Sequence, residues 1–148
     1  MAKYKDIQDK DLEKLLGIEQ DVTMDSSLVS EYKNEVVLIT GAAGSIGSDL
    51  AKKIMTYPIK KLILLDSSES SLYNLQQEFY QLVFKNFIVI VADIRNRKRI
   101  HEIFDTHKPK FVFHAAAYKH VPLVEHNIIE GVRVNTMGTY TVATLAME

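Results

Sequence analysis

The chain has 148 residues, with 18 Lys and Arg against 19 Asp and Glu and a net charge of −1, a balance that lacks the basic excess a nucleic-acid partner demands. At 47% hydrophobic and 25% charged, it reads as an ordinary soluble chain of about one domain. It has no cysteine, which excludes disulfides and thiolate metal sites, and no apolar run near the roughly 20 residues that cross a bilayer.

Residues 1–33 are polar and weakly patterned and read as an N-terminal helical arm, set apart from a unit spanning 34–148. Within the arm, Asp11 to Gly17 predicts a short helix with Leu12, Leu15 and Leu16 on one face and Gly17 as its stop. A second helix is predicted from about Ser26 to Tyr32, capped by Asp25 or Ser26. From Glu35 the texture changes. Val36 to Thr40 is a continuous apolar run ending at Gly41, and the pattern recurs in Leu62 to Leu65 ending at Asp66, in Phe87 to Val91 before Asp93, and in Phe111 to Phe113 ending at His114. Continuous rather than alternating runs predict strands of a sheet covered on both faces.

Helical stripes lie between these runs: Ile46, Leu50 and Ile54; then Leu72, Leu75, Phe79 and Leu82; then Ile100, Ile103 and Phe104. The basic cluster Arg95 to Arg99 reads as the solvated start of the third helix. Residues 126–148 predict one long helix. Its stripes, Ile128, Val132, Asn135, Thr139, Val142, Ala146 and Val134, Met137, Thr141, Leu145, make it apolar around much of its circumference and predict burial on two sides. The alternation of strand and helix implies an α/β fold of Rossmann type, a doubly wound parallel sheet with right-handed crossovers. Four strands in the order 3-2-1-4 are expected, with a cleft at the carboxyl ends of the first and fourth.

Gly41-Ala-Ala-Gly44-Ser-Ile-Gly47 falls between the first strand and the helix after it. Glycine suits each place: Gly41 for a tight turn, Gly44 for backbone approach to a pyrophosphate, Gly47 for close packing of helix on strand. The pyrophosphate would meet free N–H groups at a helix N-terminus. No Gly-Lys-Ser/Thr follows, so the turn is not a Walker loop. Asp66 ends the second strand, where a carboxylate bonds the adenosine ribose and repels a 2′-phosphate. Ser67 to Ser71 holds no Lys or Arg, which favours NAD over NADP. Asp93 ends the third strand, where its carboxylate can accept from an adenine amino group with Ile94 beside the ring. A helix N-cap is the plainer alternative for either aspartate. His114, His120 and His126 are spaced by six, which does not bring them onto one helical face, so no metal site is expected.

Thr40 to Gly47, Ala92-Asp-Ile94 and the stretch His114-Ala-Ala-Ala-Tyr-Lys-His-Val-Pro-Leu-Val-Glu125 together resemble the extended short-chain dehydrogenase/reductases. The last stretch is similar to one branch, the CapD-type polysaccharide-biosynthesis nucleotide-sugar 4,6-dehydratases, which include UDP-N-acetylglucosamine 4,6-dehydratases. The resemblance covers nearly the whole chain, though Ile18 stands where that branch usually has Arg. It implies that Gly41, Ala43, Gly44, Ser45, Ile46 and Gly47 form the pyrophosphate turn of an NAD site. Asp66, Ser67 and Ser68 then belong to the ribose-binding stretch, Asp93 and Ile94 to the adenine site, and Ala115 and Ala116 to the backbone under the nicotinamide ribose. Lys119 stands where cofactor and sugar nucleotide meet, touching both, and Asn135 stands where the superfamily often has an Asn that organises the active-site backbone, with simple helix-face packing as the alternative.

The implied activity is that of a lyase of capsular or surface polysaccharide biosynthesis. Hydride passes from sugar C4 to NAD+, water is lost across C5–C6, and the hydride returns to C6. The implied catalytic segments, a Tyr- or Met-x-x-x-Lys and an Asp-Lys pair, and the UDP-sugar domain are all expected C-terminal to Glu148. No catalytic residue is therefore assigned here, and the chain reads as an inactive cofactor-binding half. A nucleotide-sugar 4-epimerase or reductase of the same superfamily, or a non-catalytic NAD-binding module, are the alternatives. The resemblance also implies a homo-oligomer through the helix at 128–146, where the spacing of Gly131 and Gly138 allows close helix approach; the edge of the fourth strand is the alternative interface. The implied location is cytoplasmic, at the inner membrane's cytoplasmic face if the full-length protein is tethered by N-terminal membrane helices.

Overall fold

A computed structural model of the chain describes residues 26–82 and 85–148. The helix expected at Asp11 to Gly17 lies outside the described residues. In chain order the elements are α1 (Ser26–Tyr32), β1 (Val36–Thr40), α2 (Ser45–Ile54), β2 (Lys61–Asp66), α3 (Glu69–Tyr80), β3 (Phe87–Val91), α4 (Arg97–His107), β4 (Phe111–His114), α5 (Val121–His126), α6 (Ile128–Gly131), a π-helical stretch (Val132–Gly138) and α7 (Thr139–Met147). The four strands form one parallel sheet in the order β3-β2-β1-β4, with Val37 beside both Leu62 and Phe111 and Leu64 beside Val89. This is the Rossmann-type arrangement expected from the sequence.

The pleat divides each apolar run between two cores, which is why the runs are unbroken. Val37, Ile39, Leu62 and Leu64 pack with Ala51 and Ile54 of α2 and with Leu72, Leu75 and Phe79 of α3. Their neighbours Leu38, Ile63 and Leu65 point the other way, onto Ile100 and Ile103 of α4 and onto Val134, Val142 and Leu145. The first core extends to α1 through Tyr32, whose ring meets Phe111 edge-on at 4.7 Å and Tyr57 at 5.1 Å. Burial, with Tyr57 and Glu31 nearby, raises the Tyr32 phenol above its ordinary pKa.

The structure corrects the sequence expectation in three places. Ile46, expected in the buried stripe of α2, is 73% exposed, and Gly47, Ala51 and Ile54 form the buried face instead. The helix expected as one piece over 126–148 is preceded by α5, with Pro122 in its first turn, and the two are separated at Asn127 (φ −133°, ψ 50°). Beyond that break, helical structure runs on through the π stretch, but only one side is covered. Gly131, Val134, Gly138, Thr141, Val142 and Leu145 are buried. Ile128 (66% exposed), Val132 (50%) and Met137 (55%) face outward.

The two glycines of this helix let it pack closely on α5 and on the end of β3. A Cβ on Gly131 would fall 2.6 Å from Val124 Cγ1, and one on Gly138 would fall 2.5 Å from Ile94 Cδ1. Among the described residues no helix is long and apolar enough to cross a membrane.

Candidate functional site

The site is built where β1 ends and the chain turns into α2. Gly41 has φ +69°, and a Cβ there would stand 2.5 Å from Ala116 N and 2.6 Å from the Ala115 carbonyl carbon. Glycine is therefore required twice over, for conformation and for space. At Gly47 a Cβ would collide with the Gly41 carbonyl, so α2 starts tight against the strand end. The turn is fastened to β2 by two bonds: Ala42 N donates to Leu65 O at 3.1 Å and Ala43 N to Asp66 Oδ2 at 3.0 Å. Gly44 precedes α2 in extended conformation, no side chain caps the helix, and its first turn holds no acid. Its first N–H groups thus face the cleft with the positive end of the helix dipole behind them.

Asp66, at the end of β2, accepts a second backbone bond from Ser68 N at 3.0 Å. Ser68 rather than Asp66 is the N-cap residue of α3, and its hydroxyl donates to Ser71 Oγ at 2.8 Å. At the end of β3, Asp93 is gripped by Arg95. Nε lies 3.0 and 2.8 Å from the two carboxylate oxygens, Nη2 lies 2.6 Å from Oδ2, and the Arg95 N–H donates to Oδ1 at 2.9 Å. Those hydrogen bonds hold the Asp93 carboxyl below the usual carboxylate range. Arg95 also reaches Glu130 at 2.6 Å, and Arg133 and then Arg95 hold the Glu130 carboxyl low as well. The cap of α4 is Asn96, which accepts from Arg99 N at 3.1 Å, so Asp93 is not needed for that task. Arg97 reaches Thr144 Oγ1 at 2.9 Å, Arg99 pairs with Glu102 at 3.4 Å, and this end of the basic cluster is solvated as expected.

The third wall is the chain leaving β4. Ala115 N donates to Thr40 O at 2.9 Å. His114 lies between two hydroxyls, with Thr40 Oγ1 2.6 Å from Nδ1 and Thr139 Oγ1 3.0 Å from Nε2. Thr139 donates its own proton to the Asn135 carbonyl at 2.8 Å. It therefore accepts from Nε2–H, which leaves Nδ1 to accept from the buried Thr40 hydroxyl. Burial lowers the His114 pKa, in keeping with a neutral ring. Asn135 makes both amide bonds to one residue, accepting from Tyr118 N at 2.8 Å and donating to Tyr118 O at 2.9 Å.

Between these walls lie two adjoining clefts of about 300 and 490 Å3. The first is bounded by Gly41, Ala43 and Gly44, by Asp66, Ser67 and Ser68, by Asp93 and Ile94, and by Ala115 and Ala116. The second is bounded by Gly44, Ser45, Ile46 and Gly47 on one side and by Ala115 and Lys119 on the other. Every residue singled out as a ligand contact in the sequence thus borders one cleft or both. Sequence reasoning missed Ala117 and Tyr118, which border both clefts, and Arg95, His120 and Glu130, which each border one. For Tyr118 a signal was present: an Asn in mid-helix wants a backbone partner, and Asn135 finds one there. The three histidines go separate ways. His114 sits in the hydroxyl pair, His120 borders the second cleft, and His126 Nδ1 bonds Pro122 O at 2.7 Å.

Residues 37–148 match the model of a family described as polysaccharide biosynthesis protein. Over 141 residues the chain is 41% identical to the capsular polysaccharide biosynthesis protein CapD of Staphylococcus aureus, covering 93% of this chain and 23% of CapD. It is 30% identical over 118 residues to the UDP-N-acetylglucosamine 4,6-dehydratase (inverting) of Campylobacter jejuni serotype O:2, covering 79% of this chain and 34% of that enzyme. Among solved structures, Pen from Bacillus thuringiensis superposes with a TM-score of 0.72 at 34% identity, over 78% of this chain and 34% of that one. Bordetella bronchiseptica WbmG, solved in complex with NAD, shares the fold with a TM-score of 0.61 at 24% identity, over 77% of this chain and 34% of that one. The chain thus spans between 23% and 34% of the length of these proteins.

Proposed function

Because the chain belongs to the polysaccharide biosynthesis protein family, we propose that it is the NAD-binding portion of a nucleotide-sugar 4,6-dehydratase acting on a UDP-N-acetylhexosamine such as UDP-N-acetylglucosamine. The observation that carries the cofactor assignment is the placing of Asp66. Its carboxylate is held at the mouth of the first cleft by the Ala43 and Ser68 N–H groups, with only serines beside it at Ser67, Ser68 and Ser71. A carboxylate so placed accepts from ribose hydroxyls and repels a 2′-phosphate. Arg95, the cation bordering that cleft, is already committed to Asp93 and Glu130.

The remaining contacts follow from the walls. The uncapped N-terminus of α2 takes the pyrophosphate at the N–H groups of Ser45, Ile46 and Gly47. Asp93 keeps acceptor capacity for an adenine amino group, with Ile94 against the ring. Ala115 and Ala116 present backbone rather than side chain to the nicotinamide ribose, and Lys119 supplies a flexible cation where the sugar nucleotide meets the cofactor. NAD, when bound there, supplies the hydride acceptor and donor of the reaction. The residues of this chain orient it and keep its charges paired. The substrate assignment draws on the likeness to the Campylobacter dehydratase, and the biosynthetic setting on the likeness to CapD. Outward-facing Ile128, Ile129 and Tyr140 support association of the chain with itself, which sedimentation at rising concentration would read.

The test is calorimetry of the 148-residue chain with NAD and NADP. An affinity between about millimolar and high micromolar for NAD, weaker for NADP, is expected from a site open to solvent on this scale. Equal binding of both would overturn the ribose assignment. In the polypeptide extended to its relatives' length, UDP-N-acetylglucosamine should lose one water to give a 4-keto sugar. A product of unchanged mass would mean epimerisation instead.

A further inference from the structure

We propose that His114 is a positioning residue for the dinucleotide. It fixes the spacing between the glycine turn and the Ala115–Tyr118 segment, the two walls between which both clefts open. The inference rests on the dinucleotide reading above.

The geometry runs without a gap from one wall to the other. Thr40, fully buried and adjacent to Gly41, donates to Nδ1, and Nε2–H donates to Thr139. Thr139 donates to the Asn135 carbonyl, and the Asn135 amide holds Tyr118 by its N–H and its C=O. The residue leading into the turn is thus tied through one imidazole to Tyr118, one of the residues that border both clefts. The neutral Nε2–H tautomer is the form that satisfies all three hydroxyl and carbonyl partners at once. Among the described residues no carboxylate or cation pairs with the ring, so its task is directional rather than electrostatic. Asn135 lies in the π-helical stretch Val132–Gly138 and Thr139 begins α7 directly after it, one helical turn on.

The second cleft depends on this spacing more than the first. Its far wall is formed by the segment after β4, whereas the adenosine end of the first cleft is set by Asp66 and Asp93 at the ends of β2 and β3. A ligand spanning both clefts should therefore feel the loss of His114, and a ligand filling only the adenosine end should not.

The experiment compares NAD with AMP on the wild type, His114→Asn and Thr139→Val. Asparagine keeps an acceptor for Thr40 but does not reach Thr139, and Thr139→Val cuts the same chain of bonds at an exposed position, so both variants should fold. Each should bind NAD about five- to tenfold more weakly while holding AMP within about twofold. A nitrogen-resolved NMR spectrum of the wild type should show His114 protonated at Nε2 alone. NAD binding at wild-type strength in both variants would overturn the proposal, as would equal losses of NAD and AMP, the mark of a general structural defect. A wild type that binds neither ligand would overturn the dinucleotide reading and this inference with it.

Discussion

Replacing Asp66 by alanine should cost NAD affinity and, more tellingly, abolish the preference for NAD over NADP. The carboxylate accepts from Ala43 N and Ser68 N, both at 3.0 Å. Bonds to an ionised acceptor contribute about 1.5–3 kcal/mol each, and partial exposure puts the realised loss for the turn toward the lower figure. A 2′-phosphate about 5 Å away is repelled by about 1 kcal/mol per unit charge in water and about 3 kcal/mol at an effective dielectric of about 20. The cleft is open, so the lower limit applies, and a phosphate of charge near −2 gives about 2 kcal/mol, roughly thirtyfold. Calorimetry at low salt and at about 0.15 M should show that ratio in the wild type and a ratio within about threefold in Asp66→Ala; a Debye length of about 8 Å screens it only in part. Asp66→Asn separates the two effects, because it keeps the shape and one acceptor while removing the charge. A wild-type preference surviving in both variants would refute the electrostatic reasoning and move the discrimination elsewhere in the cleft.

The histidines set a second expectation. Burial holds the imidazole of His114 below its ordinary pKa, and burial with Lys61 and Arg99 does the same for His107. Between those depressed folded values and about pH 6.5 the unfolded chain binds more protons, so stability falls as pH drops through that window. Thermal melts from about pH 7.5 to about 5.5 should show it, and an unchanged melting temperature would count against the buried, neutral ring. Gly41→Ala forces a side chain into left-handed backbone against Ala115 and Ala116, and should remove NAD binding and lower stability by at least about 2 kcal/mol. Phe79→Ala, fully buried and edge-on to Phe87 at 5.4 Å, should cost about 3–5 kcal/mol and roughly 10 °C in melting temperature without touching the clefts. Gly138→Ala pushes on the flexible tip of Ile94, so a melting temperature within about 2 °C of wild type with NAD weakened about threefold is expected; unaltered affinity would detach Ile94 from the adenine site.

The strands were legible because burial on both faces writes itself as unbroken apolar runs, and each of the four was placed within a residue or two. The cleft residues were legible for a related reason: Gly41 to Gly47, Asp66 and Asp93 follow directly on strand ends, where local pattern fixes position, whereas Ala115 came from the family resemblance alone. The last helix was not. A stripe counted at 3.6 residues per turn put Ile128, Val132 and Val142 on one buried face, whereas Ile128 and Val132 are exposed and only Val142 is buried. The residues that mark its true inner face include Gly131 and Gly138, which carry no hydrophobic signal at all. Asn127, which parts the unforeseen α5 from the long helix, has no Gly or Pro beside it to announce the change. Ile46 misled in the opposite sense. Its apolar side chain fitted a core stripe, but the same position at the start of α2 borders the second cleft. Arg95 and Glu130 escaped because their meeting depends on tertiary placement, the two being 35 positions apart in the chain.

The parallel order of the sheet also dictates the sequence in which its parts can assemble. Val37 pairs with Leu62 on one side and Phe111 on the other. Closing the second of these loops, about three times longer than the first, costs about 1 kcal/mol more in chain entropy. Contacts close in sequence form first in chains of this kind, so β1, β2 and β3 gather with α2 and α3 before β4 docks. The late arrival is the strand that ends in His114 and leads into Ala115. On that order the glycine turn and Asp66 are expected in place before the far wall of the clefts. Amide exchange along β4, at one edge of the sheet among the described residues, should then outpace that of β1 and β2.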